Sequence, residues 1–315
     1  MKPNGVLCIA GATATGKSAL AIGVAERVGG EVISADAFAA YRGMDVGTAK
    51  PTPEERWRVP HHLIDVKNPD EPYSAGEFAT RARAIADDVL SRGKLPILCG
   101  GTGFYVRSFF EGLFEGPTRD PRLRAALAAV TERRGRAFLK RMVVVLDPAV
   151  SDRVLPGDAV KATRLLEILL TSGRRVSELY ATRPGPRWER AAVKLLLVLP
   201  RPMLYERISA RFSRKFETSF PEEVRRLLEA GWAVSAPGFA AIGYRDTVEL
   251  VRGGIDQEEW RERVLRATRR FAKRQETWFR KETGLVEVRA DRPDLIDFTL
   301  AEARPLFSGS ERGKR

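Results

Sequence analysis

Four short apolar runs, Val6–Ala10, Glu31–Ser34, Leu95–Cys99 and Lys194–Leu199, are each too brief for a helix and read as buried strands. Between the first two, Ala19–Val28 has helical composition and stops at Gly29-Gly30. Before the third, Ser74 and Glu77 stand at capping-box spacing. Phe78, Ala82, Ile85 and Val89 then share one helical face until Gly93 ends the run. Alternating strands and helices predict an α/β fold with a parallel sheet, whose ligands bind at the carboxyl ends of the strands.

Elsewhere the pattern changes. Asp36 to Pro72 is rich in Gly, Pro and polar residues, too irregular for a bundle and long for a plain connection, so it is expected to be a functional loop region. From about Pro117 to Arg190 the chain reads as charged and helical, an insertion between two strands. The expected organisation is a core of residues 1–116 and 191–307, an insertion at 117–190 and a disordered tail at 308–315. The last third is mostly helical with an irregular link at Ala236–Arg245, and no repeat is evident.

Composition narrows the function. No stretch approaches the roughly 20 apolar residues of a membrane span, so a cytoplasmic protein without membrane contact is expected, most simply a monomer. Cys8 and Cys99 each sit inside an apolar run and read as packing residues. With His61 and His62 the only histidines, no finger-like zinc set can form. The 54 Lys+Arg against 41 Asp+Glu give +13, which favours polyanionic partners, nucleic acid among them. Gln257 to Lys281 concentrates nine basic against four acidic residues, with Trp260, Val264, Phe271 and Trp278 along an apolar stripe. That helix reads as core on one side and either phosphate-facing or merely solvated on the other.

Gly11-Ala12-Thr13-Ala14-Thr15-Gly16-Lys17-Ser18 matches G-x-x-x-x-G-K-[ST], with a strand before it and a helix after it. Small residues let backbone N–H groups converge on a diphosphate at a helix N-terminus, Lys17 adds positive charge and the Ser18 hydroxyl can hold Mg²⁺. A kinase or ATPase needs a further metal-holding carboxylate. The one local look-alike, Val143–Asp147, lies in the helical insertion before Pro148 and reads better as a buried helix or loop segment.

Asp36 with Tyr41-Arg42-Gly43-Met44-Asp45-Val46-Gly47-Thr48-Ala49-Lys50-Pro51 resembles the signature of the tRNA dimethylallyltransferase (tRNA isopentenyltransferase) family. Val59–Asp65, Gly100–Tyr105, Ala241–Arg245 and Ala272–Arg280 are similar to that family's later blocks, in its order. The resemblance implies a P-loop NTPase-like core with a helical insertion domain contacting tRNA. It implies transfer of a dimethylallyl group from dimethylallyl diphosphate to the exocyclic amine of the adenine 3′ to the anticodon, with Mg²⁺. The loop then holds a leaving diphosphate, with Lys17 and Thr102 stabilising its developing charge. Asp36, following a strand end, accepts the proton or hydrogen bond of the attacking amine, unless it merely caps a turn. Implied contacts to the tRNA anticodon stem-loop are Asp36, Ala37, Phe38 and Ala39, Thr102, Arg124, Asp158, Ala159, Val160, Lys161 and Ala162, and Arg211.

Two departures concern the RNA side. Ala37 and Ala39 stand where the family carries Ser and Gln, and Ala159-Val160-Lys161 replaces Pro-Gln-Arg, while Asp158, Arg164 and Glu167 match. Three other readings stay open: an adenylate-type isopentenyltransferase acting on a free nucleotide, a catalytically silent RNA-binding relative, and a kinase in which Asp147 meets Ser18.

Overall fold

A computed structural model describes residues 2–307 apart from 115, 118, 156, 183 and 184, so the tail expected at 308–315 lies outside the described residues. The chain divides into two compact units, residues 1–110 with 188–315 and the intervening 111–187. The chain leaves the first unit at Glu111, a few residues before the composition change at Pro117.

The first unit is built on a six-stranded, all-parallel sheet: β1 (Gly5–Gly11), β2 (Glu31–Ser34), β3 (His61–His62), β4 (Pro96–Gly100), β5 (Ala191–Val198) and β6 (Val286–Arg289). Their order is β3-β2-β4-β1-β5-β6, so β1 is central, flanked by β4 and β5. Every residue of β1, β2 and β4 is buried, as continuous apolar runs in a covered parallel sheet require. Leu7 and Ile9 pack with Ile97, Leu195 and Leu197 against Leu20, Ala21 and Val24 of the Lys17–Val28 helix. Cys8 and Cys99 are both buried, and burial pushes their thiols up to about 12 and about 11.

Two strands were not foreseen from the pattern. β3 is a two-residue edge pairing of His61 and His62 with Val32 and Ile33, set by a loop that otherwise looks irregular. The same loop holds a short helix, Pro53–Arg58, whose Thr52 and Glu55 form the reciprocal capping box. At Ser74 only the forward half exists: its side chain accepts from the Glu77 amide, while the Glu77 carboxylate pairs with Lys67 and Arg81. β6 escapes detection because only Val288 of its four residues is buried.

A second apolar cluster joins Tyr41 and Met44 to Phe212, Phe216, Phe220, Phe239, Tyr244, Trp260 and Val264. It ties the Tyr41–Pro51 loop to the helices Glu217–Glu229, Tyr244–Val251 and Gln257–Phe279. On the last of these Trp260, Val264, Ala272, Gln275 and Phe279 are buried, whereas Phe271 and Trp278, expected on the stripe, are only half-buried. The helix turns 100° per residue, so the stripe drifts onto Ala272, Gln275 and Phe279.

The 111–187 unit has its own core of Leu127, Leu139, Val143, Leu165, Leu166 and Leu169. Val143–Leu146 closes the helix Arg136–Leu146, with Val143 buried but Val145 78% exposed, so the expectation of a wholly buried segment is corrected. Buried Asp147 follows, accepting from the Ser177 amide and hydroxyl at 2.8 Å each. Both carboxylate oxygens are thereby engaged at a helix end, and no strand leads into the residue.

Candidate active site

The loop after β1 owes its shape to left-handed backbone: Ala14 has φ 64° and Gly16 φ 96°. For Ala14 this conformation costs about 1 kcal/mol, retained where a turn of backbone amides is needed. Gly16 caps the Lys17–Val28 helix, whose free N-terminal amides and dipole favour an anion. Inside the loop the Thr15 hydroxyl donates to the Ala12 carbonyl at 2.9 Å, and Lys17 Nζ reaches the same oxygen at 3.2 Å.

Three side chains from the carboxyl-terminal helices clamp the loop from outside. Gln275, 6% exposed, accepts from the Thr13 amide through Oε1 at 2.8 Å and donates from Nε2 to the Gly101 carbonyl at 2.8 Å. It thus bridges the loop after β1 to the glycine turn after β4. Arg211 Nη2 donates to Thr13 Oγ1 at 3.0 Å, and Arg207 Nη1 to the Thr15 carbonyl at 3.3 Å. Sequence reasoning missed Gln275 and Arg207. The signal for Gln275 was a polar residue on a buried helical face; Arg207, one turn before Arg211, had none beyond that spacing.

These elements wall a cleft of about 570 Å³. Thr13, Lys17 and Ser18 lie at one part of it, with Asp36 and Arg211 also on the wall. Much of the rest is apolar, including Phe38, Phe212, Phe216, Ile242, Leu265 and Phe271. Burial pulls the Lys17 ammonium below the ordinary lysine pKa; Cys99 and Asp36 oppose that fall and Arg211 adds to it. Arg211 is lowered by burial too, again opposed by Asp36. Two desolvated cations and one carboxylate therefore share the cleft, an arrangement that an entering polyanion relieves.

Asp36 follows β2 and Ala35, and its Oδ1 accepts from the Phe38 amide at 2.9 Å and the Ala39 amide at 3.4 Å. One oxygen caps its own turn, and Oδ2 has no hydrogen-bond partner among the described residues. Thr102 Oγ1 accepts from the Ala37 amide at 3.1 Å, while its own amide donates to the Ala35 carbonyl at 3.2 Å. Thr102 thus ties the Asp36 turn to the glycine turn after β4. Ala37 and Phe38 are half-buried and Ala39 is 4% exposed, with Phe38 and Ala39 on the cleft wall.

In the 111–187 unit, Arg124 Nε and Nη2 make a bidentate contact to Glu167 at 2.9 Å each, and Arg164 joins at 2.7 Å. Fully buried Glu167 is held below the usual carboxylate range by these guanidiniums against the cost of its burial. Asp158 caps the Ala159–Ser172 helix through the Lys161 amide at 3.0 Å. Ala159 is half-buried and Ala162 lies in the core, leaving Val160 and Lys161 exposed.

No group of three or more His, Cys, Asp or Glu side chains among the described residues is placed to hold a metal ion. A divalent cation held here would have Ser18 Oγ as its protein ligand and would take its remaining oxygens from a diphosphate and water. That donor set suits a hard cation that keeps several waters.

Fold and site together define a class: a P-loop α/β protein in which the loop after β1 opens onto a partly apolar cleft that also holds the Asp36 carboxylate. The chain belongs to the IPP transferase family, whose model matches residues 39–282; the isopentenyl transferase model matches residues 4–65. A tRNA dimethylallyltransferase of Anaeromyxobacter dehalogenans is 44% identical over 281 residues, 89% of this chain and 93% of the relative. One of Geobacter sulfurreducens is 41% identical over 280 residues, 89% and 90% of the two chains. The crystal structure of the full-length tRNA isopentenylpyrophosphate transferase of Bacillus halodurans aligns with TM-score 0.69 and 32% identity, covering 96% of this chain and 97% of that one. A eukaryotic dimethylallyltransferase acting on tRNA aligns with TM-score 0.76 and 25% identity, covering 95% and 77%.

Proposed function

We infer that the protein transfers the dimethylallyl group of dimethylallyl diphosphate to the exocyclic amine of an adenine in the anticodon loop of tRNA, 3′ to the anticodon. The observation that carries this reading is the cleft itself, where a diphosphate loop, a partly free carboxylate and an apolar wall face one space. Family membership and the names of the relatives support it.

The donor's diphosphate sits on the loop amides and Lys17, with Arg211 and Arg207 alongside, and its branched alkyl end lies against the apolar wall. As the allylic C–O bond breaks, charge builds on the diphosphate oxygens, where Lys17 and the fixed amides stabilise it. The adenine enters from a displaced, unstacked position, as base-modifying enzymes require. Its N6 forms the new C–N bond, and the proton it sheds passes to Asp36 Oδ2. Ser18 would be the protein's ligand to Mg²⁺, which when bound would further neutralise the leaving diphosphate.

On the RNA side, the 111–187 insertion is the proposed anticodon-arm contact. Exposed Val160 and Lys161 are its available residues, with Arg124 and Asp158 shaping the surface from within. In the first unit Phe38 offers a ring against an unstacked base where Ala37 and Ala39 offer no polar atoms.

The test is incubation with labelled dimethylallyl diphosphate and Mg²⁺, with bulk tRNA and AMP in parallel, followed by nucleoside analysis. Label on tRNA adenine supports the reading. Label only on AMP selects the free-nucleotide transferase, and no transfer to either, with retained RNA binding, selects the silent relative.

A further inference from the structure

The Glu217–Glu229 helix carries a buried carboxylate that the chemistry above does not use. Glu223 is 1% exposed and makes no ion pair among the described residues. Instead it gathers hydrogen bonds from two segments. Oε2 accepts from the Asp45 and Val46 amides at 2.6 Å each; Oε1 accepts from the Gly47 amide at 3.1 Å and the Tyr244 hydroxyl at 2.7 Å. A buried charge is tolerable when its lone pairs are filled this completely. Burial and the adjacent Glu223 charge raise the Tyr244 pKa well above the usual phenol value, keeping its hydroxyl a donor.

The gathered segments are cleft walls. Gly47, Thr48, Ala49 and Lys50 line it on one chain segment and Ala241 and Ile242 on the other. At Gly47 the fit is tight enough that a Cβ would stand 2.4 Å from the Phe220 ring and 2.5 Å from the Tyr244 ring. The far end of the same turn is pinned separately, by buried Lys50 on Asp45 at 2.7 Å and on Asp65. The diphosphate loop depends on none of this, its supports being Gln275, Arg207 and Arg211.

We propose that Glu223 is a positioning residue for prenyl transfer, whose carboxylate fixes the Asp45–Gly47 turn against Tyr244 and so sets the cleft wall that aligns the donor's alkyl end with the acceptor. It acts through the turn and touches neither substrate. The proposal rests on the cleft being the prenyl-transfer site. A Gln side chain has Glu's shape but must turn its NH₂ toward at least one backbone N–H. The Oε1 side is the better choice, because the Tyr244 hydroxyl can rotate to accept there and only the Gly47 amide loses its bond to Glu223.

The experiment compares wild-type, E223Q, Y244F and G47A full-length proteins for turnover on tRNA, KM for donor and tRNA, affinity for inorganic diphosphate, and thermal midpoint. For E223Q the expected result is a fall in kcat of about tenfold or more, the scale of losing a charge-assisted hydrogen bond. Diphosphate affinity stays within about twofold, because the loop's supports are separate. Y244F keeps all three amide contacts and loses less than about threefold. G47A displaces the same turn with Glu223 intact and reproduces the E223Q signature, so it decides the matter if E223Q does not fold. Full turnover in either folded variant overturns the proposal, as does a loss of diphosphate affinity parallel to that of kcat. An inactive wild-type protein instead refutes the prenyl-transfer reading, so the two failures are distinguishable.

Discussion

Gln275→Met isolates the bridge between the two glycine-rich turns, because methionine has glutamine's unbranched length and supplies neither hydrogen bond. The substitution strands the Thr13 amide and the Gly101 carbonyl. Gly101's bond is buried and Thr13's is partly so. Leaving a buried polar group unsatisfied costs about 1–3 kcal/mol, so the fully enclosed carbonyl contributes about 2 kcal/mol and the amide, open to the cleft, about 1 kcal/mol. The expected destabilisation of about 3 kcal/mol corresponds to a fall of about 6–12 °C in the unfolding midpoint of the larger unit. Released from Gln275, the Thr13 amide also becomes available to the ligand, but the loop that presents it loses its fixed position. Inorganic diphosphate affinity is therefore expected to drop about tenfold, one 1.4 kcal/mol step. Calorimetric unfolding with and without diphosphate reads both quantities on one sample. An unchanged midpoint together with unchanged diphosphate affinity refutes the bridge as a support of the loop.

Lys17→Ala is expected to lower prenyl transfer by about two to three orders of magnitude while the fold persists, measured by single-turnover assay; near wild-type rates in a folded protein exclude this loop as the diphosphate site. Asp36→Asn should reduce the chemical step more than donor affinity, since the proton acceptor acts only there; lost affinity with unchanged single-turnover chemistry marks Asp36 as structural. Glu31, 2% exposed at the start of β2, is held far below the ordinary carboxylate pKa, first by its hydrogen bond from Arg92, against the cost of burial and with Lys94 and His62 assisting. A depressed folded-state pKa stabilises above the unfolded value near 4.5 and is lost as pH falls toward the folded one. Urea titrations should thus find Glu31→Gln less stable by about 2 kcal/mol at pH 7, with the gap to wild type closing below about pH 4.5; a gap that persists in acid contradicts the assignment. Ala37→Ser with Ala39→Gln is expected to sharpen selectivity on anticodon stem-loops varied around the target adenine, by about 1–3 kcal/mol per regained contact. Unchanged selectivity shows those side chains have no part in readout.

How far the sequence discloses the molecule depends on what holds each piece. β1, β2, β4 and β5 were legible because continuous apolar runs belong to interior parallel strands, and the diphosphate loop because its backbone conformation demands small residues in fixed order. β3 and β6 were not, since an edge strand of two or four residues is set by its neighbour's free hydrogen-bonding groups, which leave no periodic trace. Asp36 could be found as a strand-end carboxylate, yet its division into one capping oxygen and one free oxygen is a matter of geometry. Thr102 and Arg124 were read as ligand contacts, and their bonds inside the fold, Thr102 Oγ1 to the Ala37 amide and Arg124 to Glu167, depend on partners in space that leave no sequence pattern. Gln275 was invisible as a clamp for the same reason, its two partners lying 262 and 174 residues away.

The two stretches of chain that bound the insertion are hydrogen-bonded to each other within each unit. Gly185 donates to the Leu113 carbonyl at 3.0 Å within the 111–187 unit, and Trp188 to the Phe110 carbonyl at 3.1 Å within the other. Chain ends that already meet need no stretching to be joined by a short turn, and the closure entropy of so long an excursion grows only slowly with its length. The insertion is therefore a cassette in the engineering sense. Its helices can lengthen, shrink or be exchanged without a register shift between β4, β1 and β5, so the surface of the 111–187 unit is free to diverge while the loop after β1 stays as it is.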